Sequence, residues 1–258
     1  MPVLYEMHDG VAIVTLNRPE AMNAIDPQTR AELRDIWRQI AENDSIRCVV
    51  LTGAGDKAFC AGSDLKKTMP PAESFAQLSF TGSGHAHLTE GMDMDTPIVC
   101  AINGNVFGAG LEFALACDIR LTSKNARFGL PEAQLGTLPG GGGTQRLPRL
   151  VSPTDAMKIL LTGDRFDAAE ALRIGLVSEV LDAAELMPAA LAIARRIAQN
   201  APLSVRAIKR LVRTGLDMPL DKALQTEHYV FGLLRDTEDR IEGRRAFQEK
   251  RAPVYRGR

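Results

Sequence analysis

The chain of 258 residues is 45% apolar and 24% charged, with a formal net charge of −1, a composition typical of a soluble globular protein. The near-neutral charge gives no general attraction to nucleic acid or to an anionic membrane surface, so neither is an expected partner. The four cysteines lack the C-x-x-C spacing of a zinc or dithiol site and predict reduced, buried thiols. Because there is no signal-peptide pattern and no apolar run of membrane-spanning length, we expect a cytoplasmic protein.

The first hundred residues predict apolar strands that end in turns. Residues 11–17 predict a strand, and Asp26-Pro27 supplies an N-cap and a first-turn proline for an amphipathic helix. Residues 48–55 predict a second strand that leads into a glycine turn, and residues 97–104 repeat that scheme. These units form a weak internal repeat of strand, turn and helix, which indicates an α/β fold.

Residues 66–96 show no clear periodicity. A loop of this length in a compact domain is usually functional or mobile, which makes it a candidate cover for an active site. His85 and His87 lie in this loop without a third ligand nearby, so we predict solvated histidines and no metal site.

The stretch from residue 97 to residue 118 predicts a buried strand followed by a glycine-rich helix start. The unpaired amides of a helix start bind anionic oxygen. Glu112 lies three residues after Ala109, so its carboxylate shares a helix face with one of those amides. This pattern indicates proton chemistry beside an activated carbonyl, and the alternative is a tightly packed turn with a solvated Glu112.

The rest of the chain predicts a strand-like segment and then mostly helices. The four glycines at 140–143 lack the Lys-Ser/Thr pair of a P-loop, which disfavours a nucleotide site. Helix caps are predicted at residues 152–155, 167–170 and 182–185, and helices continue to Arg251. A basic cluster, defined as Arg206, Lys209, Arg210 and Arg213, could face a phosphate, although a solvated helix face is favoured.

Three long motifs, KAFCAGSDLK at 57–66, INGNVFGAGLEFALACDI at 102–119 and FGLPEAQLGTLPGGGGTQRLPRL at 128–150, carry a resemblance to a known family. In these motifs, and almost from end to end, the chain resembles the enoyl-CoA hydratase/isomerase family of the crotonase superfamily. The resemblance implies a spiral of ββα repeats with an acyl-CoA site over residues 1–199. It also implies a C-terminal helical region, residues 200–258, that makes homotrimers, often paired into hexamers.

The same resemblance implies a role for individual residues. The two oxyanion-hole amides fall on Ser63 and Ala109, where the family often has Ala and Gly, and the two catalytic glutamates fall on Glu112 and Glu132. Residues matching stretches that line the coenzyme A moiety are Met22, Ala24, Ala61, Ser63, Asp64, Leu65 and Lys66.

With both glutamates present, the resemblance implies hydration of an enoyl-CoA thioester, with coenzyme A as part of the substrate and no separate cofactor. The stretches NRPEAMNAID, GLPEAQLGTLPG and RAPVYRGR are also similar to carnitinyl-CoA dehydratases. Isomerisation, thioester hydrolysis and decarboxylation remain alternatives. A further alternative is an RNA-binding member of the superfamily. The mixed charges of the first predicted helix argue against that alternative.

Overall fold

A computed structural model describes residues 1–68 and 88–258 of the chain. The strands are β1 (Val3–His8), β2 (Val11–Leu16), β3 (Cys48–Gly53), β4 (Ala58–Cys60), β5 (Ile98–Ile102), β6 (Asn105–Phe107), β7 (Ile119–Ser123), β8 (Arg127–Gly129), β9 (Phe166–Asp167) and β10 (Glu179–Leu181). The α-helices are α1 (Pro27–Glu42), α2 (Leu65–Thr68), α3 (Ala109–Ala116), α4 (Gly143–Leu150), α5 (Pro153–Thr162), α6 (Ala168–Arg173), α7 (Ala183–Ala198), α8 (Pro202–Gly215), α9 (Leu220–Leu234) and α10 (Glu238–Glu249). Short 3-10 helices span Pro19–Ala21 and Pro131–Leu135.

These strands form two sheets across the described part of the chain. The larger sheet has the order β1-β2-β3-β5-β7-β10, and the smaller has the order β4-β6-β8-β9. Strands β2, β3, β5, β7 and β10 run parallel, whereas β1 is antiparallel to β2 at one edge. Strands β3, β5 and β7 of the larger sheet are each followed along the chain by one strand of the smaller sheet, so the chain winds between the sheets as a spiral. The α/β fold with a repeated unit is therefore confirmed.

The larger sheet is buried on both faces. Val49 and Leu51 of β3 belong to the core shared with α1 and the smaller sheet, whereas Cys48 and Val50 face a second core. Helix α7 covers this second face with a stripe of side chains at helical spacing, Leu186, Ala190, Ala194 and Ala198. Burial on both faces explains why β3 and β5 are continuous apolar runs without polar alternation.

Most predicted elements are confirmed, including the cap at Asp26, whose carboxylate accepts from Thr29 N at 2.8 Å. The helix start predicted at Asp182 is also confirmed, since Asp182 is the N-cap residue of α7, but its side chain makes no capping bond and instead pairs with Lys124 at 2.8 Å. The sequence did not predict β1, β4, β6, β9 or β10. Strand β1 is an edge strand with mostly exposed side chains, and the other four have at most three residues each, too few to show a period.

The solvated face predicted for the basic cluster on α8 is confirmed at Arg210 and Arg213, which are exposed, and is wrong at Lys209. Lys209 is 8% exposed, and its Nζ donates to Thr96 O at 2.9 Å and to Asp118 Oδ2 at 2.7 Å. Each of the four cations pairs with an acidic residue, the other pairs being Arg206–Asp44, Arg210–Asp95 and Arg213–Asp93. Helix α8 is thus tied to the spiral by ion pairs. Its division from the spiral at residue 199 stays a prediction.

All four cysteines are buried free thiols. Burial raises the pKa of the Cys48 and Cys60 thiols to about 12. No helix within residues 1–68 and 88–258 is long and apolar enough to cross a membrane.

Candidate active site

Helix α3 begins at the point where β6 of the smaller sheet ends. Gly108 caps this helix with φ +49°, a backbone conformation that residues other than glycine rarely adopt. Gly110 packs so closely on β4 that a Cβ atom there would overlap the carbonyl oxygen of Cys60. These two glycines let the helix start deep inside the protein, where Ala109 is 5% exposed.

Ser63 lies on the segment after β4 and forms an isolated parallel bridge with Ile25. Ile25 N donates to Gly62 O at 2.8 Å, and Asp64 N donates to Ile25 O at 2.9 Å. Successive amides of an extended segment point in opposite directions, so the N–H of Ser63 points away from Ile25. No residue in the described part of the chain accepts a hydrogen bond from it.

The segments that carry the Ser63 and Ala109 amides lie side by side. A Cβ atom on Gly62 would lie 3.1 Å from Phe107 O and 3.7 Å from Ala109 N. The Ala109 N–H, like that of Ser63, has no acceptor among residues 1–68 and 88–258. Two unpaired amides on adjacent segments, one at a helix start, can donate together to one anionic oxygen.

Glu112 is buried in the first turn of α3, with an exposed fraction of 3%, so the alternative of a solvated Glu112 is wrong. Its Oε1 accepts a hydrogen bond from Gly143 N at 2.8 Å. Burial raises the pKa of Glu112 above its ordinary value, while amide hydrogen bonds from Gly143 and Gly141 and the charge of Arg146 oppose this rise.

Glu132 approaches the helix start from the 3-10 helix after β8. A Cβ atom on Gly108 would lie 2.9 Å from Glu132 Oε1 and 4.0 Å from Gly62 Cα. The other carboxyl oxygen, Oε2, is buried and has no hydrogen-bond partner in the described structure. Burial raises the pKa of Glu132, its own backbone N–H opposes the rise, and the charge of Glu112 adds to it. Two carboxyl groups in electrostatic contact therefore flank the helix start.

The residues predicted to line coenzyme A come together from two segments. Ala61 N donates to Met22 O at 3.0 Å, and Met22 has a left-handed backbone with φ +54°. Arg18 joins the same segments, because its guanidinium donates to Ala24 O at 2.7 Å and to Asp64 Oδ2 at 3.0 Å. Leu65 and Lys66 are exposed on α2, apart from this network.

Sequence reasoning missed the residues that hold Glu112, namely the glycine loop 141–143 and Arg146. The run of four glycines could have indicated these contacts, because glycine-rich loops expose backbone amides. From the sequence, this run was considered only as a possible nucleotide site. The prediction that His85 and His87 of the long loop are solvated concerns residues outside the described ranges. Within the described ranges, no three His, Cys, Asp or Glu side chains form a group that could hold a metal ion.

Comparisons with known proteins agree with one another. A sequence model of the family described as enoyl-CoA hydratase/isomerase matches residues 6–258. The chain is 50% identical over 257 residues to the (E)-benzylidenesuccinyl-CoA hydratase of Thauera aromatica, covering 100% of both chains. It is 42% identical over 252 residues to the carnitinyl-CoA dehydratase of Escherichia coli K12, covering 95% of this chain and 94% of that relative. The crystal structure of an enoyl-CoA hydratase from Bacillus anthracis, 38% identical, matches 100% of both chains with a TM-score of 0.93.

Proposed function

The chain belongs to the enoyl-CoA hydratase/isomerase family, and from that premise we propose that it is an enoyl-CoA hydratase. In this reaction water adds across the 2,3 double bond of an enoyl-CoA thioester, the hydroxyl group to C3 and the proton to C2. The observation that carries the proposal is the pair of carboxyl groups, Glu112 and Glu132, flanking a helix start with unpaired amides.

The amides of Ser63 and Ala109 act as the oxyanion hole. Attack of water at C3 moves negative charge onto the thioester oxygen, and fixed donors aimed at that oxygen stabilise the enolate-like state. Because backbone N–H groups do this work, the side chains of Ser63 and Ala109 need only leave the amides free.

The two glutamates divide the proton transfers. Burial raises the pKa of Glu112, but its amide hydrogen bonds and a nearby cation oppose this rise, so Glu112 is assigned to take the proton from water. Burial and the charge of Glu112 raise the pKa of Glu132, so Glu132 delivers the proton to C2. The unpartnered Oε2 of Glu132 is available to the reacting groups.

Coenzyme A enters as part of the substrate, and the reaction balances without a further cofactor. We assign to its binding the residues Met22, Ala24, Ala61, Ser63, Asp64, Leu65 and Lys66. The hydrogen bonds that join their two segments support this assignment.

The chain works as a homotrimer or as a hexamer of paired trimers. Helix α9 has no buried residue, and the last three helices expose large apolar side chains, among them Leu216, Leu220, Leu224, Phe231, Leu233 and Phe247. An isolated chain would leave this apolar surface in water. Light scattering should therefore give about three or six times the 28.0 kDa chain mass. The four reduced thiols fit a cytoplasmic enzyme.

A second candidate is the reverse reaction, dehydration of a 3-hydroxyacyl-CoA ester. The similarity to a carnitinyl-CoA dehydratase favours it, and the same two carboxyl groups serve both directions by exchanging acid and base roles. Because one enzyme catalyses both directions, the two candidates differ in the acyl group accepted. Turnover of a panel of enoyl-CoA and 3-hydroxyacyl-CoA esters, varied in chain length and polarity, identifies that group.

Substitution of each glutamate by glutamine tests the two-carboxylate mechanism. Glu112→Gln and Glu132→Gln keep side-chain size but remove the basic site, so each should lower kcat for hydration by about 100-fold or more. Isothermal titration with a non-reactive acyl-CoA should show that binding survives, because the contacts to coenzyme A come from other residues. Glu185→Gln, an exposed change on α7, is the matched control and should leave kcat unchanged.

One outcome would replace the hydratase proposal. If Glu132→Gln hydrates normally while Glu112→Gln is inactive, the reaction uses a single base, and double-bond isomerisation becomes the better assignment.

A further inference from the structure

Arg146 of helix α4 is a half-buried cation that forms no ion pair with any residue in the described ranges. Removing a guanidinium from water is costly unless neighbouring groups compensate. Arg146 lies within the third family motif, but the resemblance assigns it no role. Its contacts therefore need an explanation.

The guanidinium spans the glycine loop 141–143. Its Nη1 donates to Gly141 O at 2.8 Å, and its Nη2 donates to Thr89 Oγ1 at 3.2 Å. Gly142 has φ +112°, and a Cβ atom there would overlap Nη1. The backbone angle favours glycine at this position, and a side chain there would displace the arginine from the loop.

This loop is also the part of the protein that holds Glu112. Gly143 N donates to Glu112 Oε1 at 2.8 Å, and the amide of Gly141 favours the ionised form of the carboxyl group. The Gly141 carbonyl that accepts from Arg146 therefore belongs to the same short loop as the amide that holds Glu112. Loss of the arginine contact would free the loop that orients the carboxylate.

Few other charged groups lie on the elements packed against α3. Helix α4 carries Arg146 and the exposed Arg149, strand β4 carries Cys60, and β6 has no titratable residue. Burial raises the pKa of Cys60 to about 12, so this thiol is neutral. Glu132, on its 3-10 helix, contributes a negative charge, which leaves Arg146 as the cation that acts on Glu112.

We propose that Arg146 is a positioning residue for the acid–base chemistry: it clamps the 141–143 loop around Glu112, and its positive charge favours the ionised form of that carboxylate. The proposal rests on the proposed function, in which ionised Glu112 accepts the proton from water. Arg146 acts through Glu112 and the loop and does not itself contact the reacting atoms.

Titration of Glu112 in Arg146→Gln tests the electrostatic part directly. The carboxyl carbon of Glu112 is followed by NMR in protein labelled with ¹³C-glutamate and assigned from its absence in Glu112→Gln. Loss of a nearby positive charge destabilises the ionised carboxylate, so the pKa of Glu112 should rise by about one unit. The acid limb of the kcat/KM profile should move to higher pH by a similar amount, because Glu112 must be ionised to act as base.

Two further variants separate charge from geometry. Arg146→Lys keeps the charge but loses the planar fork, so kcat should fall by about 10-fold or more while the Glu112 titration stays in place. Arg149→Gln removes a charge three residues away on the same helix, where the side chain is exposed. It should change neither the titration nor kcat.

An unchanged Glu112 titration in Arg146→Gln would overturn the proposal, whatever happens to the rate. If Arg146→Gln does not fold, Arg146→Lys decides, and a rise in the pKa of Glu112 there would overturn the role of the charge. A wild-type protein that hydrates no enoyl-CoA ester would overturn the proposed function instead, while the NMR titration would still report on Arg146.

Discussion

Helix α3 and helix α9 have opposite surroundings in one chain. Seven of the eight residues of α3 are buried, including Glu112. Helix α9 has 15 residues, and none is buried. Helix α3 packs against β4, β6 and α4 of its own chain. Helix α9 packs against α8, yet it leaves Leu220, Leu224, Phe231 and Leu233 more than half exposed. The proposed catalytic residues are thus held by contacts within one chain, and the proposed assembly would use the exposed surface of the tail.

The comparison is tested most strongly at the start of α3. Ala109→Pro removes one amide donor without adding charge, and proline is tolerated at the first position of a helix. Loss of one oxyanion donor costs about 3–4 kcal/mol of barrier in other enzymes, so kcat for hydration should fall by about 10²–10³-fold or more.

Ala109→Gly is the matched control, because it keeps the N–H and should retain most of the activity. Circular dichroism is needed to establish that the proline variant is folded. Near-normal turnover in folded Ala109→Pro would remove Ala109 from the oxyanion hole.

Replacement of one leucine in each helix compares how the two regions contribute to the free energy of unfolding. Leu111 of α3 is fully buried, and Leu111→Ala should lower the free energy of unfolding by about 2–5 kcal/mol at every protein concentration. Leu224 of α9 is 54% exposed, so Leu224→Ala should act mainly through contacts between chains. Its effect should then depend on protein concentration, because dissociation precedes or accompanies unfolding.

Denaturant unfolding at several protein concentrations, with light scattering in parallel, makes this measurement. A concentration-independent loss in Leu224→Ala, or a stable active monomer of the wild type, would contradict the assembly proposal.

The smallest expected effect concerns the ion pairs that join α8 to the spiral. Lys209 is buried against Asp118 and Thr96, so Lys209→Met should lower the free energy of unfolding by about 2 kcal/mol. Arg206 pairs with Asp44, whose side chain is 90% exposed, so Arg206→Met should cost less than about 1 kcal/mol. Equal losses in the two variants, measured by urea unfolding, would mean that burial does not distinguish these pairs.

Local signals in the sequence predicted much of the fold and part of the site. The cap at Asp26, the buried run of β5 and the helix at Ala109 all follow from neighbouring residues, and so does the shared face of Ala109 and Glu112. Each of these signals acts within one helical turn or one strand, which is the distance over which periodicity and capping are informative.

Contacts between distant segments could not be predicted in this way. Gly143 lies 31 residues from Glu112, and Lys209 lies 91 residues from Asp118. Nothing in the spacing around either residue indicates its partner, because the spiral winding of the chain brings them together. The clamp of Arg146 on the glycine loop belongs to this class, and so does the burial of Lys209, which from sequence was indistinguishable from the exposed cations beside it.

Because its four thiols are buried, the native protein should react slowly with thiol reagents, and unfolding would make the thiols reactive. A cysteine reacts with alkylating reagents as its thiolate. Burial raises the pKa of Cys48 and Cys60 to about 12, and Cys100 and Cys117 are buried as well. These four sulfurs sit in β3, β4, β5 and the end of α3, the centre of the spiral. The rate at which an alkylating label is incorporated therefore measures how often the core opens to solvent.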